Sequence, residues 1–525
     1  MRKKRHCFNR SAGILLPVSS LPSPYGIGTF GKDAYEWVDI LHAVKQSFWQ
    51  ILPLSPTGYG DSPYQSFSAF AGNPYFIDLD TLWKEGLLKR GDYANIKWSK
   101  SPDKVDYGSL YKYRESVLRK AFCNFINDAA SVEILNDFME QNHWFDDYGL
   151  FMAIKDSQGQ HSWLEWDEPL CLRQPEAISR VREELAEDIL YHAFVQYQFQ
   201  KQWNALKSYA NEKDVEIIGD IPIYVALDSA DVWAKHELFQ LDENGVPTEV
   251  AGCPPDGFTE DGQLWGNPLY DWAFMKETGF EWWIERLRHN FELYDVVRID
   301  HFRGLESYFA IPGGAKTAAD GKWKPGPGMA FIKAVKEALP DARIIAENLG
   351  FLTDKVDKLL KSSGYPGMKL VQFAFDSRAS EDDQPSSYEE NMVIYTGTHD
   401  NDTVKGWSRT APTGSVMSAK KYLDVKRRKF LPRAMIELAL ESKANLVIIP
   451  MQDWLQLGSE ARLNTPSTTG GNNWRWRLNA KSLKADVLDS VADLTIDSQR
   501  AKPCPEQAKN NYNNKDTKMV LNQAM

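Results

Sequence analysis

Eight short apolar runs recur along the chain and constrain its fold more than any other feature. They are bounded by turn residues and separated by longer segments that often show helix-like periodicity. Continuous rather than alternating apolarity is typical of strands buried on both faces, as in a parallel sheet covered by helices. Eight such strands predict an α/β fold, a (β/α)8 TIM barrel. The predicted strands are GILLPV (13–18), FWQILPL (48–54), VEIIGDI (215–221), VVRIDHF (296–302), RIIAENL (343–349), MKLVQFAF (368–375), MVIYTG (392–397) and LVIIPMQD (446–453).

Helix-like patterns stand where a barrel needs several of its crossovers. Residues 281–294 and 329–339 carry such patterns and precede the fourth and fifth predicted strands. The stretch 55–210 is too long for one crossover. It contains at least three strong helical patterns, including those at 109–126 and 181–210. We therefore expect helical insertions around the C-terminal mouth of the barrel.

These patterns predict one main domain. Residues 1–480 are expected to form a single catalytic barrel domain, in which 55–210 is largely an inserted helical subdomain. Residues 481–525 are expected to be a polar C-terminal tail that is partly disordered, because KNNYNNKDTK (509–518) is almost devoid of apolar side chains.

The net charge of the chain argues against some classes of binding partner. The chain of 525 residues has a formal net charge of −11, whereas nucleic acid and anionic membrane surfaces reward concentrated Lys and Arg. The basic segment 1–13 leads into no apolar stretch of signal length, and no run of about 18 apolar residues occurs. We expect neither nucleic acid nor a membrane as partner, and a neutral substrate fits better.

The cysteines are odd in number, widely scattered and never in a C-x-x-C pair, which predicts neither a disulfide framework nor a zinc site. The nine histidines show no H-E-x-x-H spacing. No metal is therefore predicted, and a reducing cytoplasm is the expected location. The cysteines are Cys7, Cys123, Cys171, Cys253 and Cys504.

Acidic residues end several of the apolar runs. Asp300 ends VVRID, Glu347 ends RIIAE and Asp400 closes MVIYTGTHD, while Asp220 and Asp376 follow two further runs. The active site of a barrel lies at the C-terminal ends of its strands. Carboxylates that meet there suit glycosidic chemistry, because an ionised one attacks a cationic sugar carbon while a protonated one gives its proton to the leaving oxygen. Any one such acid is more often a helix cap or a surface ion pair, so the convergence of three carries the prediction.

The surroundings of each acid suggest its role. Arg298 and Asp300 are two apart on a strand and so share a face, and a neighbouring guanidinium is expected to lower the pKa of Asp300. Asp300 is thereby suited to be the nucleophile. Glu347 has no such cation on its face, so a raised pKa and the acid/base role are expected. His399 and Asp400 are then available to grip hydroxyls of a distorted sugar ring.

A series of long motifs spans roughly residues 11–480. In this order they resemble the motifs of the 4-alpha-glucanotransferases, also called amylomaltases or disproportionating enzymes, of the α-amylase superfamily. The motifs are SAGILLPVSSLPSPYGIGTFG (11–31), GYGDSPYQSFSAFAGNPY (58–75), GDIPIYV (219–225), PPDGFTEDGQLWGNPLYDW (254–272), VRIDHFRG (297–304), IAENLG (345–350), YPGMKLVQFAF (365–375), TGTHDNDT (396–403), ARLNTP (461–466) and NWRWR (473–477).

The resemblance implies a retaining double displacement without an obligatory cofactor. It implies Asp300 as nucleophile, Glu347 as acid/base and Asp400 as transition-state stabiliser, which agrees with the roles suggested above. It implies α-1,4-glucans, such as maltooligosaccharides, as donor and acceptor, with transfer to the 4-hydroxyl of the acceptor. The residues it places against glucose units are Ser62, Tyr64, Arg298, Asp376 and His399, and from loops Gln263, Trp265 and Asn464.

The Gly- and Pro-rich loop 251–268 raises the question of transfer against hydrolysis. A glycosyl-enzyme is opened by water or by a sugar hydroxyl, depending on whether a bound acceptor excludes water. Phe258 and Trp265 are candidates to cover the intermediate, although an ordinary long loop with two anchoring aromatics is the alternative. Gly257 and Cys253 stand where bulkier or more inert residues are expected, which leaves acceptor preference open.

Other readings are less favoured. GIGTFG (26–31) matches the dinucleotide fingerprint, but SSLPSPY separates it from the preceding strand, so the tight strand-turn-helix geometry cannot form. LDENG (241–245) lacks the ligands of a calcium loop. The alternatives that stay open are an α-glucan hydrolase on the same site, a non-catalytic glucan-binding protein, and a flavin- or nicotinamide-dependent enzyme. The oligomeric state is not predicted.

Overall fold

The computed structural model describes residues 8–255, 261–350, 352–377 and 379–502. Within these ranges the chain forms twelve strands and a larger number of helices. The strands are β1 (Ser11–Leu15), β2 (Phe48–Gln50), β3 (Glu216–Ile221), β4 (Glu249–Cys253), β5 (Gln263–Pro268), β6 (Val296–Ile299), β7 (Ser307–Pro312), β8 (Lys322–Pro325), β9 (Ile344–Ala346), β10 (Gly367–Leu370), β11 (Met392–Tyr395) and β12 (Leu446–Pro450).

Eight of these strands form one parallel sheet in the order β10, β11, β12, β1, β2, β3, β6, β9. The backbone N–H of Ala346 donates to the carbonyl of Pro366 at 2.9 Å and so links the two outer strands. Each of the eight predicted apolar runs overlaps one strand of this sheet. The predicted (β/α)8 barrel is confirmed.

Close packing between strands explains one glycine in the first run. Gly13 of β1 lies between β2 and β12, where an added Cβ would be 2.6 Å from Phe48 Cβ and 2.7 Å from Ile448 Cδ1. Contacts that short do not occur between well-packed side chains. A residue without a side chain is therefore required for these strands to pair.

The helices cover the sheet and fill its insertions. They are α1 (Lys32–Ala43), α2 (Leu79–Lys84), α3 (Tyr107–Phe125), α4 (Ala129–Gln141), α5 (Trp144–Ser157), α6 (Glu168–Cys171), α7 (Pro175–Glu184), α8 (Ala186–Glu212), α9 (Ala230–Ala234), α10 (Trp272–Glu277), α11 (Glu281–Leu293), α12 (Gly328–Ala338), α13 (Asp354–Ser363), α14 (Val404–Thr410), α15 (Thr413–Tyr422), α16 (Leu431–Glu441), α17 (Met451–Trp454) and α18 (Ala485–Asp497). The helices expected at 281–294 and 329–339 are confirmed as α11 and α12.

The long segment between β2 and β3 contains α2 to α8. The pattern at 109–126 corresponds to α3, and the pattern at 181–210 is divided between the end of α7 and the whole of α8. Helix α8 packs on α1 and β3 on one side and on α3, α4 and α5 on the other. It is therefore both a crossover helix of the barrel and the base on which the inserted helices rest. The domain division expected from the sequence stays a prediction.

A second sheet, separate from the barrel sheet, was not predicted from the sequence. Strands β5, β4, β7 and β8 pair antiparallel in that order. Strands β4, β5 and β8 are interrupted by Gly, Pro or polar residues, so they lack the continuous apolarity that marked the barrel strands. This sheet brings Gln263 and Trp265 of β5 toward the barrel.

Part of the segment expected to be a tail is helical. Helix α18 buries Leu488, Val491 and Ala492 in the main apolar core. Beyond it, the fully buried Arg500 donates to the carbonyls of Leu440, Ser11, Ala444 and Ser442 at 2.7–3.1 Å. The segment KNNYNNKDTK lies outside the described residues. Among the helices that are described, none is long and apolar enough to span a lipid bilayer.

The buried guanidinium of Arg500 yields a stability prediction. We expect Arg500→Met to lower the free energy of unfolding by about 3 kcal/mol, because several buried carbonyls lose a charged donor at once. Chemical denaturation measures this change. The exposed Arg428 offers a matched control, since Arg428→Met should change stability by less than about 0.5 kcal/mol. Equal effects of the two substitutions would contradict a structural role for Arg500.

Candidate active site

The candidate site lies at the C-terminal ends of the barrel strands. Asp220 is in β3, Arg298 is in β6, and Asp300 follows β6 directly. Glu347 follows β9, and Asp400 follows β11 by a short loop. Because parallel strands end at the same rim of a barrel, these side chains meet although they are distant in sequence.

Arg298 connects two of the carboxylates. Its Nη1 lies 2.6 Å and 2.8 Å from the two carboxylate oxygens of Asp220, and its Nη2 lies 3.0 Å from Oδ1 of Asp300. Burial alone would lower the pKa of Arg298, but the charges of Asp220 and Asp300 outweigh it and raise that pKa. Asp220 is fully buried and also accepts a hydrogen bond of 2.8 Å from the hydroxyl of Tyr64.

The pKa of Asp300 differs from the sequence-based expectation. Burial raises it to about 6, and the nearby Asp220 and Asp400 carboxylates add to this effect. Arg298 opposes the rise but does not outweigh it. The predicted contact with Arg298 is confirmed, whereas the predicted lowering of the pKa is wrong. The reason is that burial outweighs the attraction of Arg298, while Asp220, which pairs with the same guanidinium, adds its own repulsion.

Glu347 is held by two backbone N–H groups. That of His301 donates to Oε2 at 2.7 Å, and that of Leu349 donates to Oε1 at 2.6 Å. These bonds favour the ionised form, yet burial and the charge of Asp300 raise the pKa of Glu347 to about 7. The expectation of a raised pKa is confirmed. His301 directly follows Asp300 and has a left-handed backbone (φ 52°). Because its N–H donates to Glu347, this one residue links the two acids.

Asp400 is the most open of the three acids, with 42% of its side chain exposed. The amide of Asn464 donates to its Oδ1 at 2.6 Å, and Nε2 of His399 lies 3.4 Å from its Oδ2. The guanidinium of Arg462 donates to the Asp400 backbone carbonyl at 2.6 Å. These contacts orient Asp400, and part of its carboxylate stays accessible.

Aromatic rings line the rim beside these acids. The ring of Tyr64 stacks on His399 at 5.1 Å and packs on Trp474 at 5.7 Å. Burial and the charge of Asp220 raise the pKa of Tyr64, so its hydroxyl keeps the proton that it donates. Ser62 supports this arrangement, because its Oγ accepts from the backbone N–H of Tyr64 at 3.2 Å. Flat rings of this kind suit the weakly polar faces of sugars.

The second sheet also contributes residues beside the site. On β5, Nε1 of Trp265 donates to Oε1 of Gln263 at 3.1 Å, and the Trp265 ring meets the His301 ring edge-on at 4.9 Å. Trp265 is thus placed next to the residue that follows Asp300. Gln263 pairs with Cys253 across the β4–β5 ladder. Phe258, part of the expected cover, and Gly257 of the same loop lie outside the described residues.

Asp376 follows a 3-10 turn after β10 and is half-buried. Its segment is joined to the site through Gln372, whose Nε2 donates to the carbonyl of Asp402 at 2.8 Å in the loop that carries Asp400.

Two members of the cluster were given no role in the sequence analysis. They are Asp220, noted there only as a strand-final acid, and Trp474, present in the NWRWR motif. A carboxylate one residue before its strand end and an aromatic in a Trp- and Arg-rich motif are weak signals, since neither reveals its partner.

Comparisons with known proteins are consistent with this geometry. The profile of the 4-alpha-glucanotransferase family matches residues 16–483. The chain is 47% identical over 483 residues to a 4-alpha-glucanotransferase of Clostridium butyricum, covering 91% of this chain and 98% of that one. It is 45% identical over 479 residues to that of Thermus thermophilus, covering 89% and 95%. The solved structure of an amylomaltase from Streptococcus agalactiae in complex with acarbose superposes with a TM-score of 0.92 at 42% identity, covering 94% and 100%. The chain therefore belongs to the 4-alpha-glucanotransferase family of enzymes.

Proposed function

We propose that Asp300, Glu347 and Asp400 carry the glucan transfer that the family performs, through a covalent glycosyl-enzyme on Asp300. The observation that carries this assignment is the pair of carboxyls at adjacent strand ends, half-buried Asp300 and buried Glu347, with pKa values of about 6 and about 7. Two interacting acids of this kind share one proton over a range of pH near neutrality. One is then ready to attack while the other is ready to donate.

In the first half of the reaction, protonated Glu347 gives its proton to the glycosidic oxygen. The carboxylate of Asp300 attacks the anomeric carbon, a C–O bond to Asp300 forms, and the reducing-end part of the donor leaves with that proton. In the second half, ionised Glu347 takes the proton from the 4-hydroxyl of an acceptor glucan. That oxygen attacks the same carbon and releases Asp300 as a carboxylate.

Arg298 keeps the attacking carboxylate in place. Its guanidinium is anchored on Asp220 and reaches Asp300 with the other nitrogen, so it resists rotation away from the site. When Asp300 becomes an ester and loses its charge, Asp220 still compensates Arg298. We infer that Asp220 keeps the buried cation paired through both halves of the reaction.

Asp400 and the rings around it suit the binding of the reacting sugar. Asn464 and His399 orient the accessible carboxylate of Asp400 toward hydroxyls or a developing positive charge. Tyr64 and Trp265 offer ring surfaces on two sides. We propose that the remaining predicted residues, Ser62, Gln263 and Asp376, border neighbouring glucose units, and that maltooligosaccharides are both donor and acceptor.

The alternatives differ in what opens the intermediate. A hydrolase would use water on the same acids, and a non-catalytic glucan-binding protein would not need two neighbouring carboxyls that are largely withdrawn from water, which are costly to fold. Membership of the transferase family favours a sugar acceptor over both.

We further propose that acarbose, the ligand of the Streptococcus agalactiae enzyme, occupies this cleft. We propose a reducing cytoplasmic location, as expected from the scattered cysteines of the sequence.

Transfer is tested with maltotriose as sole substrate. We expect a ladder of longer maltooligosaccharides with glucose as by-product, and we expect Asp300→Asn to lower turnover by at least about 10⁴-fold because no glycosyl-enzyme can form. Chromatography of the products measures both. The exposed Asp320 provides the matched variant Asp320→Asn, which should keep full turnover. Products no longer than maltotriose would instead identify a hydrolase.

The pH dependence of kcat/KM follows from the two raised pKa values. We expect a bell-shaped profile that falls below about pH 6, where Asp300 takes up a proton, and above about pH 7, where Glu347 loses one. Glu347→Gln should remove the alkaline limb when the donor is α-maltosyl fluoride, whose leaving group needs no proton. An alkaline limb that persists in this variant with that donor would argue against Glu347 as the acid.

The same shift predicts how stability depends on pH. The pKa of Glu347 rises from 4.5 to about 7 on folding, so its contribution is fully present below pH 4.5 and is lost as pH rises through 7. Glu347→Gln should therefore be more stable than the natural chain at pH 8, by at most roughly 3 kcal/mol, with the gain absent below pH 4.5. Denaturation curves at both pH values measure it. Glu285→Gln, at an exposed position, should show no such pH-dependent gain.

A further inference from the structure

The loop 397–403, which presents His399 and Asp400, is held at both ends by one buried side chain. Asp453 lies in α17, after the neighbouring strand β12, and is 2% exposed. Its Oδ2 accepts a hydrogen bond of 2.5 Å from the hydroxyl of Thr396, and its Oδ1 accepts one of 2.8 Å from the backbone N–H of Val404. Thr396 precedes the loop and Val404 begins the helix after it.

A carboxylate that bridges these two donors fixes the span of the loop. The two oxygens of one carboxylate are a constant distance apart, so Thr396 and Val404 cannot separate without breaking a bond that is shielded from water. The residues between them, including Asp400, must then close the loop over that fixed base. Position and direction of the Asp400 side chain depend on this closure.

Other contacts hold the loop at single points. Arg462 donates to the carbonyl of Asp400, Gln372 donates to the carbonyl of Asp402, and the exposed Ser459 donates to the Asp402 carboxylate at 2.7 Å. Each restrains one residue of the loop. Asp453 differs from these three because it joins both ends and is buried.

We propose that Asp453 is a positioning residue for the transfer reaction, which sets Asp400 and His399 by clamping the two ends of their loop. The proposal rests on the function assigned above to Asp400, and it assigns no contact between Asp453 and substrate. Its chemical basis is the pair of acceptor oxygens, since an apolar side chain of similar size would leave the Thr396 hydroxyl and the Val404 N–H without a buried partner.

Substitutions at Asp453 separate this role from general stability. Asp453→Leu should lower kcat/KM by about 100-fold, because a displacement near 1 Å at a reacting group has an effect of that order. Asp453→Asn should stay within about threefold, since its carbonyl still accepts from Val404 and its amide can donate to the Thr396 hydroxyl. Ser459→Ala, which removes a single-point contact with the same loop, is the matched control and should change kcat/KM by less than about twofold.

The decisive measurement is the same substitution in a second background. With Asp400→Asn already present, Asp453→Leu should cost less than about threefold, because a positioning residue has little left to position. A loss of the same factor in both backgrounds, or one that follows the unfolded fraction measured by circular dichroism, would overturn the proposal. If Asp453→Leu does not fold, Thr396→Val replaces it and should show the same dependence on Asp400. Full turnover by Asp400→Asn alone would instead count against the function proposed for Asp400.

Discussion

The buried pairing of Arg298 with Asp220 and Asp300 is the interaction on which the rest of the site depends. A guanidinium deep in a barrel is costly to desolvate unless carboxylates surround it. Here two strand ends provide those carboxylates, and a tyrosine hydroxyl completes the coordination of Asp220. The barrel must close in its observed order for β3 to lie beside β6 and β6 beside β9, so the charges are balanced only in the folded chain.

Burial, more than the nearest opposite charge, decides the protonation of the two central acids. Arg298 touches Asp300 directly, yet the pKa of Asp300 is raised. Glu347 accepts two backbone hydrogen bonds that favour its charged form, yet its pKa is raised further. A carboxyl removed from water in a site with several like charges is disfavoured as an anion, and a partly compensated cation does not restore it. This conflict disfavours the ionised forms of both acids, and in Glu347 it favours the protonated form that the proposed proton transfer requires.

Residues outside the central ion cluster give the cleft its shape. Asp400 does not belong to the central ion cluster and is set by its neighbours on the β11 and β12 loops, whereas Trp265 arrives from the separate antiparallel sheet. Rigid supports outside the substrate cavity, such as Asp453 under the 397–403 loop, suit a reaction in which the leaving glucan must depart and the acceptor must enter between two chemical steps. Such supports fix the loop from its buried side and leave its exposed side accessible to substrate.

The sequence by itself determined the eight strands and the barrel, because strands buried on both faces have continuous apolar runs. It also predicted that acids at the ends of these runs lie at one rim of the barrel. It also carried the motifs that mark the family. Only the tertiary structure decided that Asp220 shares Arg298, that the pKa of Asp300 rises, that β4, β5, β7 and β8 form a second sheet, and that Ala485–Asp497 packs as a helix. Those outcomes depend on distances between residues far apart in the chain and on how much water each group loses, and neither quantity is local to the sequence.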